Sequence, residues 1–267
     1  MPIDALQGAV FAALRSRRQP DSHVAGASAL NRDPQSPRYS EDIDFFHDAA
    51  AIVDDNADAD ARVLEAEGFL VSWESPRTGF RRAWIERDGA RMKVEWAYDS
   101  AFRFFPVQPD PILGYRLHDA DLAVNKVLAG AGRLVIRDYL DLIFLHESYL
   151  TLGALAWAAT GKDPGLSPLR ILNELNRHSR YQPADLAEVR LTRPVTLQDL
   201  KGKWLEMLRT AHVLVESLPA SEVGYLYLDS TGRPMTPDPN AAEFGALTRH
   251  YGQLRGSWPR VMRDDCA

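Results

Sequence analysis

The stretch SPRYSEDIDFF, residues 36–46, decides the reading of this chain. Asp42 and Asp44 are separated by one isoleucine and followed by Phe45 and Phe46. The alternation predicts a strand, and in a strand residues two apart share a face. Asp42 and Asp44 therefore project together, while Ile43 and Phe45 turn to the other side, toward a core. Paired carboxylates on one face have two common uses. They hold a hard divalent cation through oxygen, or they sit in water on an exposed edge. The pair alone does not choose between these.

Two neighbouring stretches bear on the choice. Upstream, HVAGASAL (residues 23–30) reads as a short strand that runs through a glycine turn into a helix. Gly26 lets the backbone approach a ligand closely, N–H groups at a helix start favour phosphate, and Ser28 adds a hydroxyl. Downstream, RMKVEWA (residues 91–97) places Lys93 and Glu95 on one strand face and Met92, Val94 and Trp96 on the other. The same letters also describe a half-exposed strand with a surface ion pair, which is worth little. Taken together, the three stretches supply a phosphate cradle, a paired carboxylate and a third carboxylate on a later strand. Three carboxylates can hold two Mg²⁺ ions about 3.5–4 Å apart, an arrangement that stabilises the attacking and leaving oxygens of a phosphoryl displacement.

The rest of the chain predicts an α+β fold. Residues 4–18 read as a helix, and residues 54–69 read as a helix with an acidic start and Gly68 as its stop signal. FLVSWES, FRRAWIER and RMKVEWAY are β-rich, with Asp88-Gly89 as a two-residue hairpin turn between the last two. Residues 103–116, with Pro106, Pro109 and Pro111, read as a loop. Helices follow over 118–132 and 135–150, then near 150–160, 167–178 and 198–218. A short strand at 225–230 and a last helix near 240–253 complete the pattern. The expected organisation is an α/β head over 1–110 and a mainly helical region over 111–267.

Composition narrows the setting. Of 267 residues, 45% are hydrophobic and 25% charged, and the net charge is −6. That argues against a broad basic surface for nucleic acid, while leaving room for a local basic groove. Two such clusters stand out: Arg15 to Arg18, and Arg77, Arg81, Arg82, Arg87 and Arg91 around the hairpin. Each reads equally as a backbone guide or as a solvated rim. The single cysteine, Cys266, can form neither an intramolecular disulfide nor a zinc cage, which points to a reducing cytoplasm. The apolar run at 5–14 follows Asp4 and precedes RSRR, the reverse of a secretory leader, and no stretch reaches the ~18 apolar residues of a membrane span.

The order Gly26-Ala27-Ser28, then Ser40-Glu41-Asp42-Ile43-Asp44-Phe45-Phe46, then Lys93-Val94-Glu95 resembles the nucleotidyltransferase superfamily, and within it the AbiEii/AbiGii toxin group. ADLAVNKVLAG, with Lys126, looks like that group's third motif. GRLVIRDYLDLIFL, with Arg137, Asp138 and Asp141, looks like its fourth. The likeness covers roughly residues 22–146. It departs from the pattern at Ala27, where a second glycine is usual, and at Pro34 and Pro37, where the group more often runs helix into a short turn.

The resemblance implies a nucleotidyltransferase-type mixed sheet flanked by helices, followed by a helical C-terminal region. It also implies an enzyme that moves a nucleoside monophosphate from a nucleoside triphosphate onto an acceptor hydroxyl. Asp42, Asp44 and Glu95 would be catalytic and would hold two Mg²⁺ ions. Gly26, Ala27 and Ser28 would seat the triphosphate, Lys126 would neutralise its charge, and Arg137, Asp138 and Asp141 would complete the pocket. The setting implied is a bacterial toxin–antitoxin or phage-defence system, with an antitoxin protein as partner and RNA, tRNA included, as acceptor. Two other readings stand beside it: a non-catalytic scaffold of the same fold that binds RNA or a partner, and an enzyme that nucleotidylates a small molecule such as an aminoglycoside.

Overall fold

The computed structural model describes residues 3–32 and 35–259; Pro34 and Cys266 lie outside the described residues. The chain divides into two compact units. The first runs to Leu122 and takes in Leu254–Gly256, and the second begins at Ala123.

The first unit is built on a seven-stranded mixed sheet. Helix α1 (Ala5–Leu14) opens it, and its first turn is closed by a reciprocal cap between Asp4 and Gln7. Strand β1 (Ser22–Ala25) leads directly into the short helix α2 (Gly26–Leu30), as the glycine turn predicts. Strand β2 (Asp42–His47) pairs antiparallel with β1. Helix α3 (Val53–Ala66) ends before Gly68, which takes φ +84. Strands β3 (Leu70–Trp73), β4 (Phe80–Arg87) and β5 (Ala90–Tyr98) form an antiparallel meander, and β5 then runs parallel to β2. The β4–β5 turn has φ +53 at Asp88 and +75 at Gly89, the left-handed pair that a two-residue hairpin requires.

The segment expected as a loop, 103–116, instead carries strands. These are β6 (Phe102–Arg103), β7 (Gln108–Asp110) and β8 (Gly114–Arg116). Strand β8 pairs parallel with β1, and β7 closes the sheet in the order β3-β4-β5-β2-β1-β8-β7. Pro109 misleads because proline is tolerated on an edge strand, and β7 is an edge. The sheet's apolar face carries Val24, Ile43, Phe45, Ala83, Ile85, Val94 and Trp96. These residues join Val10, Phe11 and Leu14 of α1 and Val53, Ala57 and Leu64 of α3 in one buried core. The opposite side chains of β2 and β5 are left half-exposed, and the candidate site lies on that face.

Of the arginines in 15–18, Arg15 is exposed, Arg17 half-buried and Arg18 buried. Both Arg17 and Arg18 meet the buried Asp60 of α3, which accepts from Arg17 Nε at 2.7 Å and from Arg18 Nη2 at 2.5 Å. Asp60 also accepts from the Trp96 indole at 2.8 Å. The Arg18 guanidinium lies 4.2 Å from the centre of the Phe45 ring. Phe45 and Trp96 are the inward neighbours of Asp44 and Glu95, so this buried cluster braces the strands beneath the candidate site.

The second unit is mainly helical. It holds most of α4 (Asp119–Gly132), then α5 (Ile136–Ser148), α6 (Leu152–Lys162), α7 (Pro168–Leu175), α8 (Pro183–Ala187) and α9 (Leu197–Ser217). Helix α6 packs on α7 and α9. Strand β9 (Leu226–Leu228) matches the predicted strand. The helix expected near 240–253 is absent. A 3₁₀ turn at Ala242–Ala246 is followed by β10 (Thr248–His250), which pairs with β9, and by β11 (Gln253–Leu254), which pairs with β6. Gly245 weakens a helix there, and β9 needs a partner for its backbone. Among the described residues no single helix is long and apolar enough to cross a membrane. Helices α5 and α6 pass that test only as a pair bent by 113°, and both are largely buried.

Candidate active site

The register of three strands assembles the site. Ala25 lies opposite Asp44, Asp44 opposite Glu95, and Glu95 opposite Arg82. Directly paired residues share a face, so Asp44, Glu95 and Arg82 form a row across β2, β5 and β4. Asp42 pairs with Lys93 in the next row on the same face. The burial pattern agrees: Asp42, Asp44, Lys93 and Glu95 are half-exposed, and the residues between them are buried. The third carboxylate expected from the Lys93–Glu95 strand thus stands beside the Asp42–Asp44 pair.

Gly26 meets this row at its β1 end. Its φ is +61, and a Cβ built there would fall 1.8 Å from Asp44 Oδ2 and 2.7 Å from Asp44 Cγ. The Asp44 carboxylate therefore lies in space that any other residue at position 26 would fill. The glycine is required twice, once by its dihedral and once by this close approach. Ala27 is half-exposed on the same turn. Ser28 is buried, with its hydroxyl directed at the Ala25 carbonyl 3.4 Å away. The entry to β2 is held by Gln7, whose amide donates to the Ser40 carbonyl at 3.2 Å.

Glu95 is engaged. Its Oε1 accepts from Arg82 Nε at 2.9 Å and lies 3.7 Å from Lys93 Nζ. Arg82 is held on its other side by Glu74, at 3.1 Å, and Glu74 in turn accepts from the Trp84 indole at 3.0 Å. Burial lowers the Arg82 pKa, but Glu95 and Glu74 outweigh it and raise the net value. The group stays charged. Among the described residues no three His, Cys, Asp or Glu side chains are grouped so as to hold a metal ion. Asp42 and Asp44 fit a hard divalent cation by donor chemistry and by the pocket that Gly26 leaves for the Asp44 carboxylate. Glu95 fits only after exchanging its arginine. Sequence reasoning placed Arg82 in a basic cluster and missed this role, although a strand pair joined by a two-residue turn fixes Arg82 opposite Glu95.

The other hairpin arginines are largely engaged at home. Arg81 pairs with Asp54 and Asp58 and lies 4.2 Å from the centre of a Trp73 ring. Arg87 covers Phe69 at 4.0 Å and Arg91 covers Trp84 at 4.2 Å.

In the second unit, Lys126, Asp138 and Asp141 form a cluster of their own. Lys126 Nζ stands 2.9 Å from Asp138 Oδ1 and 3.0 Å from Asp141 Oδ2, and Arg133 adds a bond to Asp138 at 2.7 Å. The i, i+3 spacing on α5 does bring the two aspartates together. They are buried, however, and so is the lysine. Burial alone would raise the Asp138 pKa, but Lys126 and Arg133 outweigh it and hold it at about 2. Arg137 is half-exposed on the same helix.

A mixed sheet of this order, carrying paired acidic residues on β2 and a third on the parallel strand β5, defines a nucleotidyltransferase-type fold. Solved structures agree. The chain superposes on a Helicobacter pylori protein described as a nucleotidyltransferase, with a TM-score of 0.51 and 19% identity over 80% of this chain and 95% of the other. It superposes on MenT4, a nucleotidyltransferase toxin from Mycobacterium tuberculosis, with a TM-score of 0.52 and 16% identity over 82% and 84%. No curated protein matches it. Residues 11–223 match the family described as nucleotidyl transferase AbiEii toxin of type IV toxin–antitoxin systems. The chain belongs to that AbiEii nucleotidyltransferase toxin family.

Proposed function

We propose that this protein is a divalent-metal-dependent nucleotidyltransferase that moves a nucleoside monophosphate from a nucleoside triphosphate onto an acceptor hydroxyl. The supporting observation is the row Gly26–Asp44–Glu95, with Asp42 beside it on the same face. Asp42 and Asp44 would hold the metal, Mg²⁺ in the cell, and Glu95 would join them for a second ion. Such ions would supply positive charge that neutralises the phosphates and makes the α-phosphorus more electrophilic. Gly26 and Ala27 offer the triphosphate an open backbone. Glu95 receives the acceptor proton as the acceptor oxygen bonds to the α-phosphorus. The bond from the α-phosphorus to the bridging oxygen breaks, and pyrophosphate leaves. Such transfers depend mainly on positioning and charge stabilisation. The resemblance of their motifs is the sole support for a nucleotide-binding role of Lys126, Arg137, Asp138 and Asp141, of which the lysine and the two aspartates bind one another in the second unit.

The acceptor in this reading is RNA, with tRNA as the first candidate, and the setting is a bacterial cytoplasm in which an antitoxin protein restrains the enzyme. A second reading is favoured by one observation, the Arg82–Glu95 ion pair: a non-catalytic scaffold whose third carboxylate is occupied. A transfer assay decides between them. Four α-labelled nucleoside triphosphates are presented with total RNA and Mg²⁺, beside Asp42→Ala. A labelled RNA band that vanishes in the variant is expected. Label that persists in the variant removes Asp42 from the mechanism, and no label with any nucleotide favours the scaffold.

A further inference from the structure

We propose that Arg82 is a positioning residue for the third carboxylate, holding Glu95 in a reserve ion pair that an incoming divalent cation must displace. The proposal rests on the metal reading above and goes beyond it, because it names what sets the site's affinity for metal. The geometry is a closed chain of partners. Trp84 anchors Glu74, Glu74 holds one edge of the Arg82 guanidinium, and the other edge holds Glu95, with Lys93 standing behind. Strand register fixes the central pair, since Arg82 and Glu95 lie directly opposite on β4 and β5.

Three features make this a reserve rather than a fixed link. First, the pair is not deeply buried: the Arg82 and Glu95 side chains are 32% and 19% exposed. Ion pairs of that kind hold weakly, so a divalent cation anchored by Asp42 and Asp44 can draw the carboxylate away. Second, Arg82 keeps Glu74 when Glu95 leaves, so the exchange strands no guanidinium. Third, Glu95 is adjacent to Asp44 in the same row, so leaving Arg82 takes its carboxylate toward the aspartates rather than into solvent. Metal and arginine then compete for one carboxylate, and Glu74 tunes the competition by occupying the arginine.

The test is Mn²⁺ binding to the full chain by calorimetry, without nucleotide or RNA. Arg82→Gln releases Glu95 and removes a positive charge beside the site, so Mn²⁺ should bind about 10-fold more tightly, while transfer slows because Glu95 is no longer oriented. Glu74→Gln should act in the opposite direction, weakening Mn²⁺ binding about 3-fold, because Arg82 then turns wholly to Glu95. Arg82→Lys should remain near the wild type. Arg81→Gln removes the same charge from a side chain paired with α3 and should change nothing. A merely structural Arg82 would give weaker metal binding together with a lower melting temperature. Unchanged or weaker Mn²⁺ binding in a folded Arg82→Gln overturns the proposal. If that variant fails to fold, Glu74→Gln binding Mn²⁺ as the wild type does overturns it instead. A wild-type chain that binds no Mn²⁺ overturns the metal reading itself.

Discussion

Replacing Gly26 with alanine probes the site with a single methyl group. The backbone there is left-handed, at φ +61, and the added Cβ would sit 1.8 Å from Asp44 Oδ2. The dihedral alone costs about 1–2 kcal/mol. The contact cannot be relieved at the turn without moving α2, so the Asp44 carboxylate must retreat by roughly 2 Å to reach ordinary contact distance. Displacements of about 1 Å at a reacting centre cost about 100-fold in rate. Gly26→Ala should therefore lose at least about 100-fold in nucleotide transfer, while unfolding free energy in urea falls by only about 1–3 kcal/mol. Gly89→Ala is the matched control. It has φ +75, but its Cβ would meet nothing within 4 Å, so it should lose a similar backbone term and keep full transfer. Gly26→Ala retaining transfer within about 3-fold of the wild type would refute the claim that Asp44 works from that space.

Other perturbations test the supports. Asp60→Ala leaves Arg18 buried without its carboxylate and frees the Trp96 indole, so urea unfolding should fall by about 3–5 kcal/mol; a loss under about 1 kcal/mol would contradict the brace. His47 is buried at the end of β2, and burial first, then the Arg18 charge, lowers its pKa to about 4. The unfolded chain takes that proton near pH 6.5, so stability should fall by roughly 3 kcal/mol between pH 6.5 and 4. The His47→Gln variant should lack that part of the slope when the two pH–stability curves are compared. Lys126→Met leaves Asp138 and Asp141 buried together and should destabilise by about 3–5 kcal/mol. In the wild type, the Asp138 contribution is complete above about pH 4 and should be lost as pH falls toward 2, seen as an acid limb that the variant lacks.

How far the sequence could be read depended on the range of the interaction. Local signals were legible. The alternation in DIDFF, the Asp88-Gly89 turn and the strand-to-helix break at Gly26 each depend on a few adjacent residues, and all appear in the structure. From these the shared face of Asp42 and Asp44, and separately that of Lys93 and Glu95, followed. Pairings between distant residues were not legible. The span 103–116 looked like a proline loop because its strand pairing is to β1, about 90 residues earlier in the chain, and proline on an edge carries no warning. Arg17 and Arg18 read equally as a backbone guide or a solvated rim, because their partner, Asp60, lies on a helix 42 residues beyond Arg18. One signal for Asp60 was available: it falls in the buried stripe of Val53, Ala57, Ala61 and Leu64. Lys126, Asp138 and Asp141 read as pocket residues through their motifs, and their mutual pairing was not legible either. Each charge is buried only because the other neutralises it, and composition does not reveal that.

Calorimetric titration of nucleoside triphosphate into the full chain, with and without Mg²⁺, bears most directly on the central claim. Binding that requires Mg²⁺ and disappears in Asp44→Ala, with the variant melting as the wild type does, is the result expected. Binding of equal strength without Mg²⁺, or in Asp44→Ala, would contradict it.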